Sequence, residues 1–513
     1  MTSTDKRVIT SIVNLFESFN NTAKETPKYK EDLEYPLDGG IQKKLVELSK
    51  TMEDEEFAIF KKTDDIKSLW KELVEKAIIC LRYYDDREPF LDNPKKKPQA
   101  YGIDKLNEYY DNYSSFEKLL YGGSKYYRDH MIHTFRVWLL GIEILIKNDC
   151  TYLKAIKVSD GDPVNILEKI SIWTLIALTH DLGYPLEKAL EIIEKTKEMM
   201  GSFIVDPVVS MDLSFTGVQN SMNDYVLRFL SSKMTIGNNI DATEEKTTKE
   251  EEKRKKEEKK IYVARLQPKY YFKFQKSLEH KEHGIISALI IYKLLIYFLE
   301  SDYSINEDYY FGKEDCRQFN IRREILRAIA SHTCHDVYQQ EAYGFSFLLI
   351  LCDDAQEWGR KYISELYVEK GEKYEYRGIE YNTKKMSVDG KEKDIIEFTL
   401  SDEYELDKTS SIEGILERFN RQSKTYRDVF RDGQDTKNRN FNFKRTLKID
   451  VKKSTSKEYM VMLEVSIDEQ TKITAKRDDD SVIGTTEEFY KAFKSVFKEV
   501  EAINDGKVLQ YKL

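Results

Sequence analysis

Residues 172–187 read IWTLIALTHDLGYPLE, and this stretch decides how the rest of the chain is interpreted. Apolar side chains continue up to Thr179, His180 and Asp181 follow at once, and a glycine and a proline then predict the end of the helix. A helix that is apolar on all sides is buried, so the imidazole and the carboxylate are predicted to lie inside a domain. Buried ionisable groups are costly unless they are paired or bound to metal. Taken alone, such a pair more often closes a helix end than holds a ligand.

The composition is that of a highly charged globular protein. The 513 residues are 40% hydrophobic and 34% charged, with a formal net charge of −9, and this length suffices for roughly two to four domains. The charge argues against a general nucleic-acid binder, although a local basic groove would be compatible with it. The start carries no signal-peptide pattern, and the longest apolar stretch, residues 285–299, is too short to span a bilayer. Five scattered cysteines without a CxxC motif favour reduced thiols, so we expect a cytoplasmic protein.

The hydrophobic pattern divides the chain into three predicted regions. Residues 1–115 carry apolar residues at helical spacing and show no catalytic or ligand-binding motif, which indicates a packing or oligomerisation segment. Residues 116–362 contain the apolar helices, interrupted at about residues 190–270 by a predicted insertion. Within it, residues 241–260 read DATEEKTTKEEEKRKKEEKK, which predicts a solvated helix or a disordered loop. Residues 363–513 form the third region.

The third region is predicted to be a small α+β domain. Apolar residues alternate in residues 394–400, 446–452 and 460–468, which indicates strands with one buried face. Helical patterns around residue 411 and from residue 485 interleave with these strands. We expect this domain to serve interaction, ligand sensing or covering of the core, and the predicted fold class of the whole chain is mainly α.

The strongest functional signal is the distribution of histidine. All seven histidines lie between residues 130 and 335, each at the start or end of an apolar helical segment. Imidazole together with carboxylate is a ligand set for Zn, Mn, Fe, Co or Ni. Six candidate ligands exceed what one ion needs, and an Asp bridging two ions about 3.5–4 Å apart is the arrangement used for phosphoester displacement. The sequence therefore predicts one or two divalent transition-metal ions, with candidate ligands His133, His180, Asp181, His283, His332 and Asp353.

The order His, His-Asp, His, His, Asp on successive helices resembles the HD-domain metal-dependent phosphohydrolase superfamily. The resemblance covers roughly residues 116–362 without the insertion, or under half of the chain. It rests on HTFRV at His133, on THDLG at His180, and on FLLILCDDAQEWGR, which places Asp353 after an apolar run. The family fold is all-helical, so the resemblance implies an all-helical core for this region.

Two further histidines resemble those that binuclear members of the family add. These are His283 in the sequence EHG and His332 in the sequence ASH. His280 is an alternative to His283, because HKEHG also contains a histidine followed by glycine at a suitable distance.

The resemblance also implies residues that contact the substrate, and here the sequence departs from several binuclear members. Those members carry His-Asp-x-Gly-Lys, in which the lysine engages phosphate, whereas this chain has Tyr184 at that position. The phosphate contact is therefore expected from Arg136, Lys188 or Arg360, with Tyr184 beside the substrate. His130 is expected either to act next to the ligands, facing the substrate, or to serve helix packing.

The function that these patterns favour is hydrolysis of a phosphoester by a metal-activated hydroxide, with Asp181 bridging the ions. A nucleotide or another small phosphorylated compound is the favoured substrate. A nuclease acting on single-stranded nucleic acid is the first alternative, and it would need a basic groove with stacking aromatic residues. A metal-containing sensor or scaffold without turnover is the second alternative. The sequence leaves the oligomeric state of the protein open.

Overall fold

The protein is mostly helical, as the sequence predicts: helix accounts for 68% of the residues that the structure describes. No helix in the described part of the chain is long and apolar enough to cross a membrane. The computed structural model describes residues 4–53, 58–85, 98–123, 129–147, 164–202, 218–237, 261–301, 310–334, 336–337, 344–359, 372–388, 391–406, 412–430, 441–453, 456–467, 472–477, 487–504 and 507–512.

The N-terminal helices share one hydrophobic core with the helices that follow them. The indole N–H of Trp70 donates to the carbonyl of Leu178 at 2.9 Å, and the Trp70 ring stacks on Tyr110 with centroids 3.8 Å apart. The predicted boundary between residues 115 and 116 lies inside a helix. The N-terminal helices are α1 (Thr4–Asn14), α2 (Phe16–Lys24), α3 (Gly39–Thr51), α4 (Thr63–Tyr83) and α5 (Ile103–Gly123), and a 3₁₀ turn (Ala58–Lys62) precedes α4.

The central region continues with nine helices among the described residues. The helix predicted from the opening stretch is present and ends at Thr179, with His180 as its C-cap. Its start is held by a capping box, in which Asn165 and Glu168 each accept a backbone N–H from the other at 3.0 Å. The nine helices are α6 (Met131–Lys147), α7 (Ile166–Thr179), α8 (Tyr184–Gly201), α9 (Val218–Ser231), α10 (Pro268–Glu279), α11 (His283–Leu294), α12 (Ile296–Leu299), α13 (Lys313–Ser331) and α14 (Phe345–Ala355).

The sequence of α6 favours an amphipathic helix, yet every residue from Met131 to Ile146 is buried. It is surrounded by α1, α4, α7 and α14. Its closest neighbour is α7: a Cβ on Gly141 would overlap the indole of Trp173. Trp173 in turn donates to the carbonyl of Trp138 at 3.0 Å. This close antiparallel packing places the start of α6 beside the end of α7.

The predicted insertion contains an ordered antiparallel hairpin. Strands β1 (Ser232–Ile236) and β2 (Tyr262–Leu266) pair along their full length, and the N–H of Gly237 extends the ladder to the carbonyl of Ile261 at 2.9 Å. Arg323 of α13 donates to the carbonyl of Ser232 in β1 at 3.1 Å and so ties the hairpin to the core. The charged run at residues 241–260 lies outside the described residues.

The C-terminal region has the predicted α+β character. In the described part of this region, seven strands form one sheet in the order β3-β4-β5-β6-β7-β9-β8, antiparallel except for the pair β4 and β5. A parallel pair needs a crossover connection, and helix α15 supplies it. The three alternating segments predicted as strands lie in β4, β5 and β6. The elements are β3 (Glu372–Val388), β4 (Lys391–Leu406), α15 (Ile412–Phe430), β5 (Phe441–Lys453), β6 (Ser456–Ile467), β7 (Lys472–Arg477), α16 (Glu487–Val496), β8 (Val500–Ile503) and β9 (Val508–Lys512).

Replacing residues 241–260 by a short Gly-Ser connection is expected to leave the melting temperature and any activity unchanged. Ala242 is the only apolar residue of the run, so the run cannot bury a face of its own. Thermal unfolding measures the effect, and Tyr262→Ala, which removes a buried side chain of β2, is the control that should lower the melting temperature. A large loss of stability or activity on deletion would show that the run is a working part, such as a lid.

Candidate metal centre

Six side chains from five helix ends converge on one point of the core. Their ligand atoms form three overlapping groups, and within each group all ligand atoms lie within 4.8 Å of one another. The starts of α6 and α11 contribute one histidine each, and α14 contributes an aspartate. The ends of α7 and α13 contribute their C-cap histidines, and Asp181 directly follows the C-cap of α7. The structure therefore brings together all six predicted ligands: His133, His180, Asp181, His283, His332 and Asp353.

One half of this cluster surrounds Asp181 Oδ2. His180 Nε2 lies 3.4 Å from this oxygen, and His133 Nε2 lies 3.8 Å from it. Asp353 closes the same half, with its Oδ1 2.8 Å from His133 Nε2 and 3.9 Å from His180 Nε2. Two imidazoles and two carboxylates thus face one small volume.

The other half of the cluster surrounds the second oxygen of the same carboxylate. His283 Nε2 lies 3.3 Å from Asp181 Oδ1, and His332 Nε2 lies 3.6 Å from it. The two Nε2 atoms are 3.2 Å apart. Asp181 therefore presents one oxygen to each half, which is the geometry of a bridging carboxylate.

Histidines at the ends of α7 and α13 are oriented by their own helices. Nδ1 of His180 contacts the carbonyl of Ala177 at 2.9 Å, and Nδ1 of His332 contacts the carbonyl of Ile329 at 2.6 Å. A carbonyl only accepts, so Nδ1 carries the proton in both rings and the lone pair of each Nε2 faces the cluster.

Histidines at the starts of α6 and α11 are oriented by side chains from other elements. Glu187 accepts both the backbone N–H of His283, at 3.0 Å, and its Nδ1, at 2.7 Å. Gln356 Oε1 contacts Nδ1 of His133. Sequence reasoning missed both partners. Glu187 could have been found as an acid in the first turn of the helix after the His-Asp pair, whereas no local pattern distinguishes Gln356.

The cluster has the chemistry of a cation site. His180 Nε2 is buried and has no hydrogen-bond partner among the described residues. Burial lowers the pKa of His180 to about 4, so this imidazole is neutral and able to coordinate. Burial also opposes protonation of His283, but the carboxylates of Asp181 and Glu187 outweigh it and raise its pKa to about 10. The second half therefore favours a positive charge, which a metal ion would supply.

The two carboxylates remain ionised in this surrounding. Burial acts to raise the pKa values of both carboxyl groups, but the neighbouring imidazoles outweigh it. They hold the pKa of Asp181 well below its usual range and also lower the pKa of Asp353. Ionised carboxylates and neutral imidazoles are the forms in which both groups bind metal.

Three of the residues that are expected to contact or face the substrate lie together next to the cluster. Tyr184 stacks on His130 with ring centroids 3.7 Å apart and meets His283 edge-on at 5.2 Å. The ammonium of Lys188 lies 5.3 Å from the centre of the Tyr184 ring. His130 is buried, and its ring centroid is 6.2 Å from that of His133. Their contact with a substrate stays a prediction.

The structure places other predicted site residues elsewhere. The guanidinium of Arg136 is fully buried and makes two hydrogen bonds to Asp5, at 2.8 and 2.7 Å, which join α6 to α1. This position corrects the expectation that Arg136 contacts phosphate, because its donors face α1 within the described structure. The side chain of His280 is 61% exposed, so His283 is the histidine of this pair in the cluster. Arg360 lies outside the described residues.

Comparison with known proteins adds no family to this description. No protein-family model, no curated protein and no solved structure matches the chain. The resemblance to HD-domain phosphohydrolases therefore rests on the sequence motifs alone.

Gly284 permits the close approach of α11 and α13 on which the second half depends. Its N–H donates to Thr333 Oγ1 at 3.2 Å, and a Cβ on Gly284 would lie 2.6 Å from that oxygen and 2.9 Å from His332 Nδ1. Both distances are shorter than van der Waals contact, so a methyl group would displace His332 or its helix.

Substitution of Gly284 by Ala is therefore expected to lower the bound metal by about one ion per chain, because the second half loses its geometry. Elemental analysis of the purified variant measures this loss. Gly414→Ala is the matched control, since a Cβ there meets nothing within 4 Å. Equal metal content in the Gly284 variant and the wild type would show that the approach of α11 and α13 does not matter for metal binding.

Proposed function

We propose that the protein is a metal-dependent phosphohydrolase with two divalent transition-metal ions. The observation that carries the proposal is the carboxylate of Asp181, whose two oxygens face two separate pairs of imidazoles. In this proposal His133, His180 and Asp353 hold one ion, His283 and His332 hold the other, and Asp181 bridges them. Mixed nitrogen and oxygen donors favour Mn, Fe, Co, Ni or Zn over Mg and Ca.

The chain supplies few ligands to each half, which leaves positions for water and for a phosphate oxygen. Counting the bridge, the first half has four protein ligands and the second half has three. When bound, such ions lower the pKa of coordinated water towards neutrality and stabilise charge on phosphate oxygens. The imidazoles of His180 and His332 are held by backbone carbonyls and those of His133 and His283 by side chains, so none has to reorient for the reaction.

In this proposal a small phosphorylated substrate binds on the side of the cluster that Tyr184 and Lys188 occupy. Lys188 is partly exposed, lies beside Glu187 at 3.6 Å, and carries the positive charge that a phosphate group needs. The Tyr184 ring and the buried His130 ring beneath it offer an aromatic surface. The net charge of −9 argues against an extended nucleic-acid strand, so a nucleotide is the favoured substrate.

The direct test is an activity screen of the purified protein with Mn²⁺ against nucleotides, cyclic nucleotides, small phosphomonoesters and single-stranded DNA and RNA. We expect turnover of a small phosphorylated compound, and loss of that turnover in Asp181→Ala with the fold retained. Faster cleavage of single strands would favour a nuclease. Bound metal without any turnover would favour a sensor or scaffold.

The binuclear form of the proposal is tested by His283→Gln and His332→Gln. Each substitution is expected to lower metal stoichiometry by about one and to reduce kcat by orders of magnitude, because each removes a ligand of the second ion. His280→Gln is the matched control, since the His280 side chain is exposed and lies outside the cluster. Full activity and unchanged stoichiometry in the double variant of residues 283 and 332 would leave an enzyme with one metal ion.

A further inference from the structure

Gln356 makes a fixed pair of hydrogen bonds beneath the first half of the cluster. Its side chain is fully buried. Its Nε2 donates to the carbonyl of Trp358 at 2.8 Å, and its Oε1 contacts His133 Nδ1. A carbonyl can only accept, so the NH₂ end of the amide must face Trp358 and the oxygen must face the imidazole. The amide thereby selects the form of His133 that carries its proton on Nδ1.

The carbonyl that holds Gln356 is itself anchored in the core. The indole N–H of Trp358 donates to Asp5 Oδ1 at 2.8 Å, and the same carboxylate accepts both hydrogen bonds of Arg136. Asp5, Arg136 and Trp358 are all buried. A buried ion pair with two hydrogen bonds is expensive to break, so this anchor does not rearrange easily.

The hydrogen-bond acceptor for His133 Nδ1 has to be a side chain, because His133 lies at the start of its helix. At the ends of α7 and α13, the carbonyl three residues earlier orients the histidine. The corresponding carbonyl for His133, that of His130, accepts the backbone N–H of Thr134 at 2.9 Å. Carbonyls in the first turn point along the helix towards its C-terminus, away from side chains at its start. The acceptor for His133 Nδ1 therefore comes from another element.

We infer that Gln356 is a positioning residue for the metal ligand His133. It holds the ring with its proton on Nδ1 and its Nε2 lone pair directed at the first ion. This inference rests on the proposed function, because it assumes that His133 binds metal. An amide suits this place better than a carboxylate, because Asp181 and Asp353 already bring two negative charges to the same buried half.

The test uses the full chain with ¹⁵N-labelled histidine, loaded with Zn²⁺, and long-range ¹H–¹⁵N spectra of the rings. We expect the wild-type His133 ring to be protonated at Nδ1 and metal-bound at Nε2. In Gln356→Met we expect this pattern to be lost and the affinity for Zn²⁺ to fall by about 10–100-fold, the usual effect of losing the partner of a ligating histidine. His180 is the internal control, because its partner is a backbone carbonyl.

Two further variants distinguish loss of the hydrogen bond between Gln356 and His133 from general destabilisation of the fold. Gln356→Glu keeps an acceptor for Nδ1 but loses the donor to the Trp358 carbonyl, so it is expected to keep the His133 proton on Nδ1 while lowering the melting temperature. Gln422 is a second buried glutamine, and it donates to the carbonyl of Asp354 at 3.0 Å, in the same segment of chain. Gln422→Met is therefore expected to lower the melting temperature while leaving the His133 signals and the affinity for Zn²⁺ unchanged.

The outcomes distinguish the inference from the proposed function. A wild-type protein that binds neither Zn²⁺ nor Mn²⁺ would overturn the proposed function. A wild-type protein that binds metal but has His133 protonated at Nε2 would overturn the inference alone, and this reading does not depend on whether a variant folds. The inference would also fail if Gln356→Met kept both signals and affinity, or if Gln422→Met weakened metal binding to the same extent.

Discussion

The carboxylate of Asp181 is the group on which the arrangement of the His and Asp cluster depends. It is buried, with 4% of the residue exposed, and a buried negative charge is stable only when positive or hydrogen-bonding groups surround it. Four imidazoles lie around it, two beside each oxygen. The protonated His283 supplies one positive charge, and the proposed metal ions would supply the rest. To reach one carboxylate, the ends of α7 and α13 and the starts of α6 and α11 must converge. The packing of Gly141 against Trp173 and of Gly284 against Thr333 makes that convergence sterically feasible.

Each imidazole is oriented according to the end of the helix on which it lies. A histidine that follows the last turn finds an acceptor in its own helix, because the final carbonyls have no partner within the helix. A histidine in the first turn has no such carbonyl and depends on a side chain from elsewhere, Gln356 for His133 and Glu187 for His283.

The N-terminal helices and the C-terminal domain also contact the segment next to the cluster. Asp5 of α1 anchors Trp358, and Gln422 and Arg418 of α15 contact Asp354 and Glu357. The N-terminal helices and the C-terminal domain thus hold the segment that carries Asp353.

The sequence predicts which side chains form the cluster because their signal is local. An apolar run that ends in His180 and Asp181 predicts a buried helix end, and α7 confirms it. The partners of the ligands are less accessible to sequence reasoning, because the contacts are long-range. A cation one turn after His133 resembles a phosphate ligand, yet Arg136 pairs with Asp5, far away in the sequence. The pattern of α6 is amphipathic only in part, and it gives no sign that other helices cover its polar face. Gln356 lacks any local signature, since its role depends on the position of Trp358.

The most direct measurement is anomalous diffraction from crystals of the full chain grown or soaked with Mn²⁺. The account predicts two anomalous peaks about 3.5–4 Å apart, one on each side of the Asp181 carboxylate. One peak should lie within bonding distance of His133, His180 and Asp353, and the other within bonding distance of His283 and His332. An absence of peaks at this cluster, or a structure in which these imidazoles point away from Asp181, would contradict the account.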